Sequence, residues 1–254
     1  MIPGKSKTVT STAEEQPSGS STSPTTYNTA LALPHPLPRT SFYQEKIPLL
    51  VAFEQCLYKH LAKQAGPGAR HPRPFVAAEC GVYKGHSLIA CARIARDLGV
   101  PIRFFGLDTF SGLPTLSEID ADLSPPKAAY KARTLFADAS LEDVRERCEA
   151  AGLLASIELV KGLFSDTLTT LPELQYDFVN IDCDLYEGHM QCLEYFYGRM
   201  KQGGTIFFDD YHSKVFPMAH QAIDDFLKDR PEILFHVRWG DDGENQTKAF
   251  ILKE

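Results

Sequence analysis

The strongest constraint on this chain is a regular alternation of short β-branched and aromatic runs with longer runs of helical spacing. Four of its first five strand candidates end in a carboxylate. The strand candidates are Phe75–Glu79, Arg103–Asp108, Ile157–Val160, Tyr176–Asp182 and Thr205–Asp209. Helical patterns fall between and after them: Ser87 to Leu98, closed by Gly99; Leu141 to Ala151; about 186–200, with Gly203-Gly204 beyond its end; and about 217–229. Strands alternating with helices call for right-handed βαβ units, hence a parallel sheet covered on both faces. Two further runs, Ile233–Trp239 and Thr247–Leu252, have only a loop between them and predict an antiparallel pair at one edge. The expected architecture is therefore α/β: a seven-stranded, mostly parallel sheet with an antiparallel edge strand and helices on both faces.

The stretch 1–40 is about half Ser, Thr, Pro and Gly, which buries too little apolar surface to offset the entropy of ordering it. It reads as a disordered leader, and residues 41–254 as one domain. From Ser41 to Tyr58 apolar residues recur three and four apart, which predicts a helix interrupted near Pro48.

A net charge of −7 excludes the clustered basic surface that neutralises phosphates, so no nucleic-acid partner is expected. An acidic cleft favours a cation instead. The six cysteines, Cys56, Cys80, Cys91, Cys148, Cys183 and Cys192, form no C-x-x-C pair and read as buried thiols in a reducing compartment. No apolar run is long enough to span a bilayer, and the segment from Met1 to Lys5 lacks a secretory h-region; the expectation is a cytoplasmic protein with no membrane partner.

In an open parallel sheet, ligands bind outside the carboxyl ends of the strands. Those ends read Glu79-Cys80-Gly81-Val82-Tyr83-Lys84-Gly85-His86-Ser87, Asp108-Thr109-Phe110-Ser111-Gly112-Leu113-Pro114, Asp182-Cys183-Asp184 and Asp209-Asp210-Tyr211. Converging carboxylates are costly unless cations or hydrogen bonds compensate them. Gly81 and Gly85 allow close backbone approach to a ligand at a helix N-terminus, although a tight strand-to-helix turn explains them equally well. Asp108, one helix further on, stands where a carboxylate commonly accepts hydrogen bonds from ribose hydroxyls. Glu79 would repel a pyrophosphate, so the pair suggests a nucleoside cofactor that carries positive charge and no phosphate. Asp182, Asp209 and Asp210 offer only oxygen ligands, which favour Mg²⁺, Mn²⁺ or Ca²⁺ over zinc. Asp184 reads either as a functional acid or as the N-cap of the next helix, and Asp210 either as a ligand or as a solvated turn residue.

These blocks, together with Gly162-Leu163-Phe164-Ser165-Asp166-Thr167-Leu168 and Ile181-Asp182-Cys183-Asp184-Leu185-Tyr186-Glu187, resemble the macrocin O-methyltransferase (TylF-like) family. The family comprises S-adenosylmethionine- and metal-dependent enzymes acting on sugar hydroxyls of natural products. The resemblance covers roughly residues 41–254 in consistent order, and departs at Gly188, His189 and His212. It implies a class I methyltransferase (Rossmann-like) fold. It places Glu79, Gly81 and Ser87 near the methionine part of the cofactor, Asp108 and Ser111 near the ribose, and Phe164 and Ser165 near adenine. Metal ligands would be Asp182, which also borders the cofactor, with Asp209 and Asp210, and the general base would be Asp184.

On this reading the metal, Mg²⁺ or Mn²⁺, binds the hydroxyl of a small-molecule acceptor, a sugar or a comparable polyhydroxylated metabolite, and steadies its developing alkoxide. Asp184 takes the proton, with His212 as a rival base or an exposed loop residue. His86 and His189 read as surface or helix-face residues. Two alternatives stay open: a glycosyltransferase using Asp182-x-Asp184 as its metal pair, and a cofactor-binding protein without catalysis. The insertion Thr115–Ala137 exceeds an ordinary α/β connection and predicts a mobile lid over the acceptor, shared with the helix of Phe42 and Tyr43. Phe42, Tyr43 and Tyr58 could equally serve a homodimer interface. If the insertion is a lid, cofactor plus metal protects Lys127, Lys131 and Arg133 from trypsin; unchanged cleavage would remove it.

Overall fold

The computed structural model describes residues 41–65, 73–125, 135–238 and 247–254. The leader 1–40 and the Pro126–Thr134 part of the insertion lie outside the described residues. The elements run α1 (Ser41–Gln64), β1 (Phe75–Cys80), α2 (His86–Asp97), β2 (Ile102–Asp108), α3 (Glu118–Leu123), α4 (Leu141–Ala150) and β3 (Ile157–Lys161). They continue with α5 (Phe164–Thr167), β4 (Tyr176–Ile181), α6 (Tyr186–Phe196), β5 (Met200–Phe208), α7 (Pro217–Leu227), β6 (Phe235–Arg238) and β7 (Thr247–Leu252). One seven-stranded sheet results, in the order β3-β2-β1-β4-β5-β7-β6. The antiparallel pair forms as expected, with one refinement: β7 inserts between β5 and β6, so the strand running against the parallel grain is penultimate and β6 is the rim.

Register decides where the chemistry goes. Cys80 pairs with Leu107 and Ile181, and Ile181 with Phe208, so these four residues form one rung across the parallel strands. The next residue of each chain is Gly81, Asp108, Asp182 and Asp209. The strand-terminal acids therefore share one edge of the sheet. Hydrogen bonds continue the ladder past that rung: Gly81 N–H donates to the Leu107 carbonyl (2.9 Å), Asp182 N–H to Cys80 (2.8 Å) and Asp209 N–H to Ile181 (3.2 Å). Between β1 and β4 the strand order reverses direction, which opens the crevice where α/β folds hold ligands.

Helix α1 runs through Pro48 without interruption, correcting the expected break. A proline costs the helix one hydrogen bond, and here the buried face formed by Leu49, Leu50, Phe53 and Leu57 outweighs it. Phe53 sits against Phe75, Phe104 and Phe178, with ring centroids 5.4, 5.8 and 5.2 Å away, which clamps α1 to β1, β2 and β4. Strand β5 starts at Met200, earlier than expected, and takes Gly203 and Gly204 into the sheet, where they exchange backbone bonds with Lys253.

The start of the insertion is docked. Asp120, fully buried, accepts from Tyr186 N–H (2.6 Å) and from Ser117 Oγ (2.6 Å), so a side chain from α3 caps α6, whose own N-cap, Leu185, supplies none. All six cysteines are unpaired and buried, as the sequence indicated. Among the described residues no helix is long and apolar enough to cross a membrane. Truncating Phe53 to Ala should lower unfolding free energy by about 3–5 kcal/mol in urea titration; a loss below about 1 kcal/mol would show that α1 is not seated on the sheet.

Candidate active site

A cavity of about 540 Å³ opens at the carboxyl edge of the sheet. Gly81, Ser87 and Asp108 line one arm; Asp182, Asp184, Asp209 and Asp210 line the other; Leu113, Phe136, Phe164, Val215 and Phe216 supply apolar walls. The described non-glycine residues with positive φ are Tyr83 (48°), Phe110 (48°), Phe136 (61°) and Asp184 (64°), and all but Phe110 line this cavity. Strained backbone concentrated at one cleft is the pattern of a functional site.

The first arm is built by β1, α2 and β2. Gly81 is required by packing: a Cβ there would lie 1.8 Å from the Asp182 carbonyl oxygen, and φ is +93°. Gly85 forms the left-handed N-cap of α2, with Val144 packed 2.8 Å from where a Cβ would stand, and does not line the cavity. Asp108 is fixed through both oxygens: Oδ2 accepts from Val82 N–H (2.8 Å) and Tyr83 N–H (2.9 Å), and Oδ1 from Phe110 N–H (2.7 Å). Its first role is thus to tie the loop after β1 to the end of β2.

Glu79 lies one layer below the cavity surface, 1% exposed. Its Oε1 accepts from Ser87 Oγ (2.5 Å) and Asn180 Nδ2 (3.0 Å), while Oε2 has no partner. Burial pushes its carboxyl up to about 7, against the pull of Ser87, Lys46 and Asn180. Sequence reasoning missed Asn180, an amide inside the buried half of β4, Phe178–Ile181, which a strict search for polar residues in that run would have singled out. Phe164 lines the cavity at the start of α5, whereas Ser111 and Ser165 are exposed and hydrogen-bonded locally, to the Thr109 carbonyl and to Asp166.

The second arm holds the acids of β4 and β5. One oxygen each from Asp182, Asp209 and Asp210 lies within 4.8 Å of the others. Unit charges about 4 Å apart interact by about 4 kcal/mol at an effective dielectric of about 20, so such a cluster needs counter-charge. Lys46 of α1 supplies part of it, donating to Asp182 Oδ2 (2.6 Å) and Asp209 Oδ2 (2.9 Å), and Lys248 of β7 donates to Asp209 Oδ2 (2.8 Å). Burial alone would push Asp209 up, but the two ammoniums outweigh it and hold its carboxyl well below the usual range. Burial, then the Asp209 charge, pushes Asp182 up, and Asp210 rises for the same reasons. Asp209 Oδ1 and Asp210 Oδ2 remain buried without partners. Orphaned, convergent carboxylate oxygens fit an oxygen-seeking divalent cation. Neither lysine was legible as a site residue.

Asp184 stands at the centre of a three-residue turn closed by Leu185 N–H on the Cys183 carbonyl (2.6 Å), the strained form of the γ-turn. Burial first, then the Asp210 and Asp182 charges, raises its carboxyl above the usual range. It is not the N-cap of α6, which is Leu185. His212 is exposed and outside the cavity lining, its ring 4.6 Å from Tyr211 and 5.3 and 5.7 Å from His220 and His236. Two other histidines depart from the surface reading. His189 is fully buried, its Nδ1 donating to the Leu185 carbonyl (2.8 Å) and facing Cys183 Sγ (3.5 Å), and His86 lines the cavity. Burial alone would push the Cys183 thiol up, but hydrogen bonding from Cys192 and the His189 ring outweigh it and bring it to about 6.

Comparison with solved structures gives the same architecture. The O-methyltransferase NovP superposes with a TM-score of 0.65 at 23% identity, covering 82% of this chain and 80% of its own. The calicheamicin methyltransferase CalS11 gives 0.58 at 21% identity over 82% and 80%. A putative caffeoyl-CoA O-methyltransferase from Staphylococcus aureus gives 0.53 at 11% over 82% and 83%. No curated protein matches the sequence. The sequence model of the macrocin-O-methyltransferase (TylF) family matches residues 70–238, a span that carries every lining residue of the cavity but Glu45 and Lys46. The chain therefore belongs to the macrocin O-methyltransferase family of S-adenosylmethionine-dependent O-methyltransferases.

Proposed function

We propose that the enzyme methylates a hydroxyl of a sugar or a comparable polyhydroxylated metabolite, with a divalent cation, Mg²⁺ or Mn²⁺, held by Asp182, Asp209 and Asp210. The observation that carries this reading is the convergence of those three carboxylates, with two orphaned oxygens, across one cavity from the Ser87–Asp108 arm. CalS11, described as a TDP-rhamnose 3'-O-methyltransferase, supports the sugar assignment by its own chemistry. A cation there, when bound, would act as a Lewis acid that steadies a developing alkoxide.

The residues divide the remaining work. Glu79 Oε2 offers an unpartnered acceptor to the ammonium end of the donor, held in place by Ser87 and Asn180. Asp108, fixed by three backbone amides, keeps lone pairs for ribose hydroxyls. Phe164 offers a flat apolar surface to the base. Asp184 is the proposed proton acceptor: it lines the cavity in a fixed turn two residues from Asp182, whereas His212 lies outside the lining. The apolar walls at Phe136 and Phe216 exclude water from the transfer, and alignment of donor and acceptor then supplies much of the rate. Membership of a methyltransferase family answers the glycosyl-transfer alternative, and intact acids argue for catalysis over simple binding.

Calorimetric titration tests the reading. S-adenosylmethionine and its demethylated product should bind at micromolar Kd, while UDP-glucose should not; the reverse pattern would overturn it. Asp182→Ala should reduce turnover at least about 100-fold with cofactor affinity kept within about threefold, because it removes transition-state rather than ground-state interactions.

A second expectation concerns pH. Glu79 titrates near 7 folded against about 4.5 unfolded, so the folded chain binds an extra proton between those values. Its stabilising effect is full below about pH 4.5 and is lost as pH rises through 7, a penalty of about 3 kcal/mol. Glu79→Gln should reduce the slope of cofactor-free urea midpoints measured from pH 5 to 8, leaving the part due to Asp182, Asp184 and Asp210, and should weaken S-adenosylmethionine by about 10- to 100-fold. Unchanged cofactor affinity would remove Glu79 from the donor site.

A further inference from the structure

Lys46 and Lys248 reach the carboxylate cluster from elements that carry none of its acids. Lys248 touches Asp209 alone, whereas Lys46 bridges Asp182 and Asp209, on neighbouring strand ends, at 2.6 and 2.9 Å with its side chain 11% exposed. Three carboxylates against two ammoniums leave one negative charge unmatched. Without Lys46 two remain, the charge a divalent cation matches. The ammonium also occupies Oδ2 of both Asp182 and Asp209. A cation at Mg²⁺ distances of about 2.0–2.1 Å from these carboxylates would stand close to the ammonium and be repelled by it.

We propose that Lys46 is the resident counter-ion of this cluster, and that a divalent cation binds by displacing its ammonium and so releasing the first turns of α1. The inference rests on the metal reading above and adds to it a built-in competitor. The release is local. Leu49, Leu50 and Phe53 hold the rest of α1 to the sheet, so only the part before them is governed by the Lys46 contact. Glu45, beside Lys46, lines the cavity, so the same movement reshapes the acceptor's surroundings. Linkage makes the effect reciprocal: whatever Lys46 contributes to seating α1 is subtracted from the affinity for the cation.

Mn²⁺ titration of the whole chain without acceptor, read by the electron-paramagnetic-resonance signal of the free ion, tests this. S-adenosylmethionine affinity serves as the check that each variant is folded. Lys46→Met should bind Mn²⁺ about 10-fold more tightly than the unaltered chain, within the usual range of coupling between sites, and Lys46→Arg should not. A measurement needing no variant accompanies it: Mn²⁺ should speed backbone hydrogen exchange over Glu45–Leu50 and leave α2 unchanged. Equal or weaker Mn²⁺ binding by Lys46→Met, or slower exchange in α1, overturns the proposal, since Lys46 would then be holding the ligands for the metal. Absence of Mn²⁺ binding in both the unaltered chain and Lys46→Met, with the cofactor still bound, overturns the metal reading itself and this inference with it.

Discussion

Burying like charges at the edge of a sheet is the constraint on which the rest of this structure depends. Asp182, Asp209 and Asp210 stand where the register of four parallel strands forces them together, in a cleft that screens them poorly. Their mutual repulsion is met by two lysines from elsewhere in the chain and by an arrangement that keeps two oxygens unsatisfied. A fold serving only stability would replace such a cluster with packed apolar side chains, since buried ion networks seldom outperform them. Its retention marks the place where stability is given up for chemistry.

The two arms of the cleft solve different problems with the same residue type. Glu79 is a single carboxylate in an apolar layer, satisfied on one oxygen and open on the other, so its neighbourhood favours a cationic group. Asp108 accepts from three backbone amides and serves first as a brace. The cluster across the cavity is held by opposite charge. One sheet edge thereby presents three electrostatic settings, two lining the cavity and that of Glu79 just beneath it.

Much of this was legible in the sequence, for identifiable reasons. Asp108, Asp182 and Asp209 each follow a strongly apolar strand, so their position at strand ends could be read directly, as Glu79 and Asp184 were, and the family blocks added Phe164 and the separate roles of these acids. Other features depended on long-range packing that no local pattern encodes. Gly81 is explained by the Asp182 carbonyl, 101 positions away in sequence. Lys46 is one lysine among several on a long helix, and Lys248 sits in a strand whose place beside β5 follows only from the pairing. The direction of the loop after Asp210 sends His212 away from the cavity, a fact set by how Tyr211 packs. Pro48 misled because local helix rules omit the aromatic contacts that hold α1 straight.

The insertion of β7 between β5 and β6 bears on how the charge of the site is balanced. All five parallel strands, and with them every acid of the cleft, precede β7 in the chain. In chain order the carboxylates are therefore flanked by their two lysines, Lys46 before them on α1 and Lys248 after them on β7. The charge balance of the sheet edge thus closes only when α1 and β7, from opposite ends of the described fold, are both seated against it.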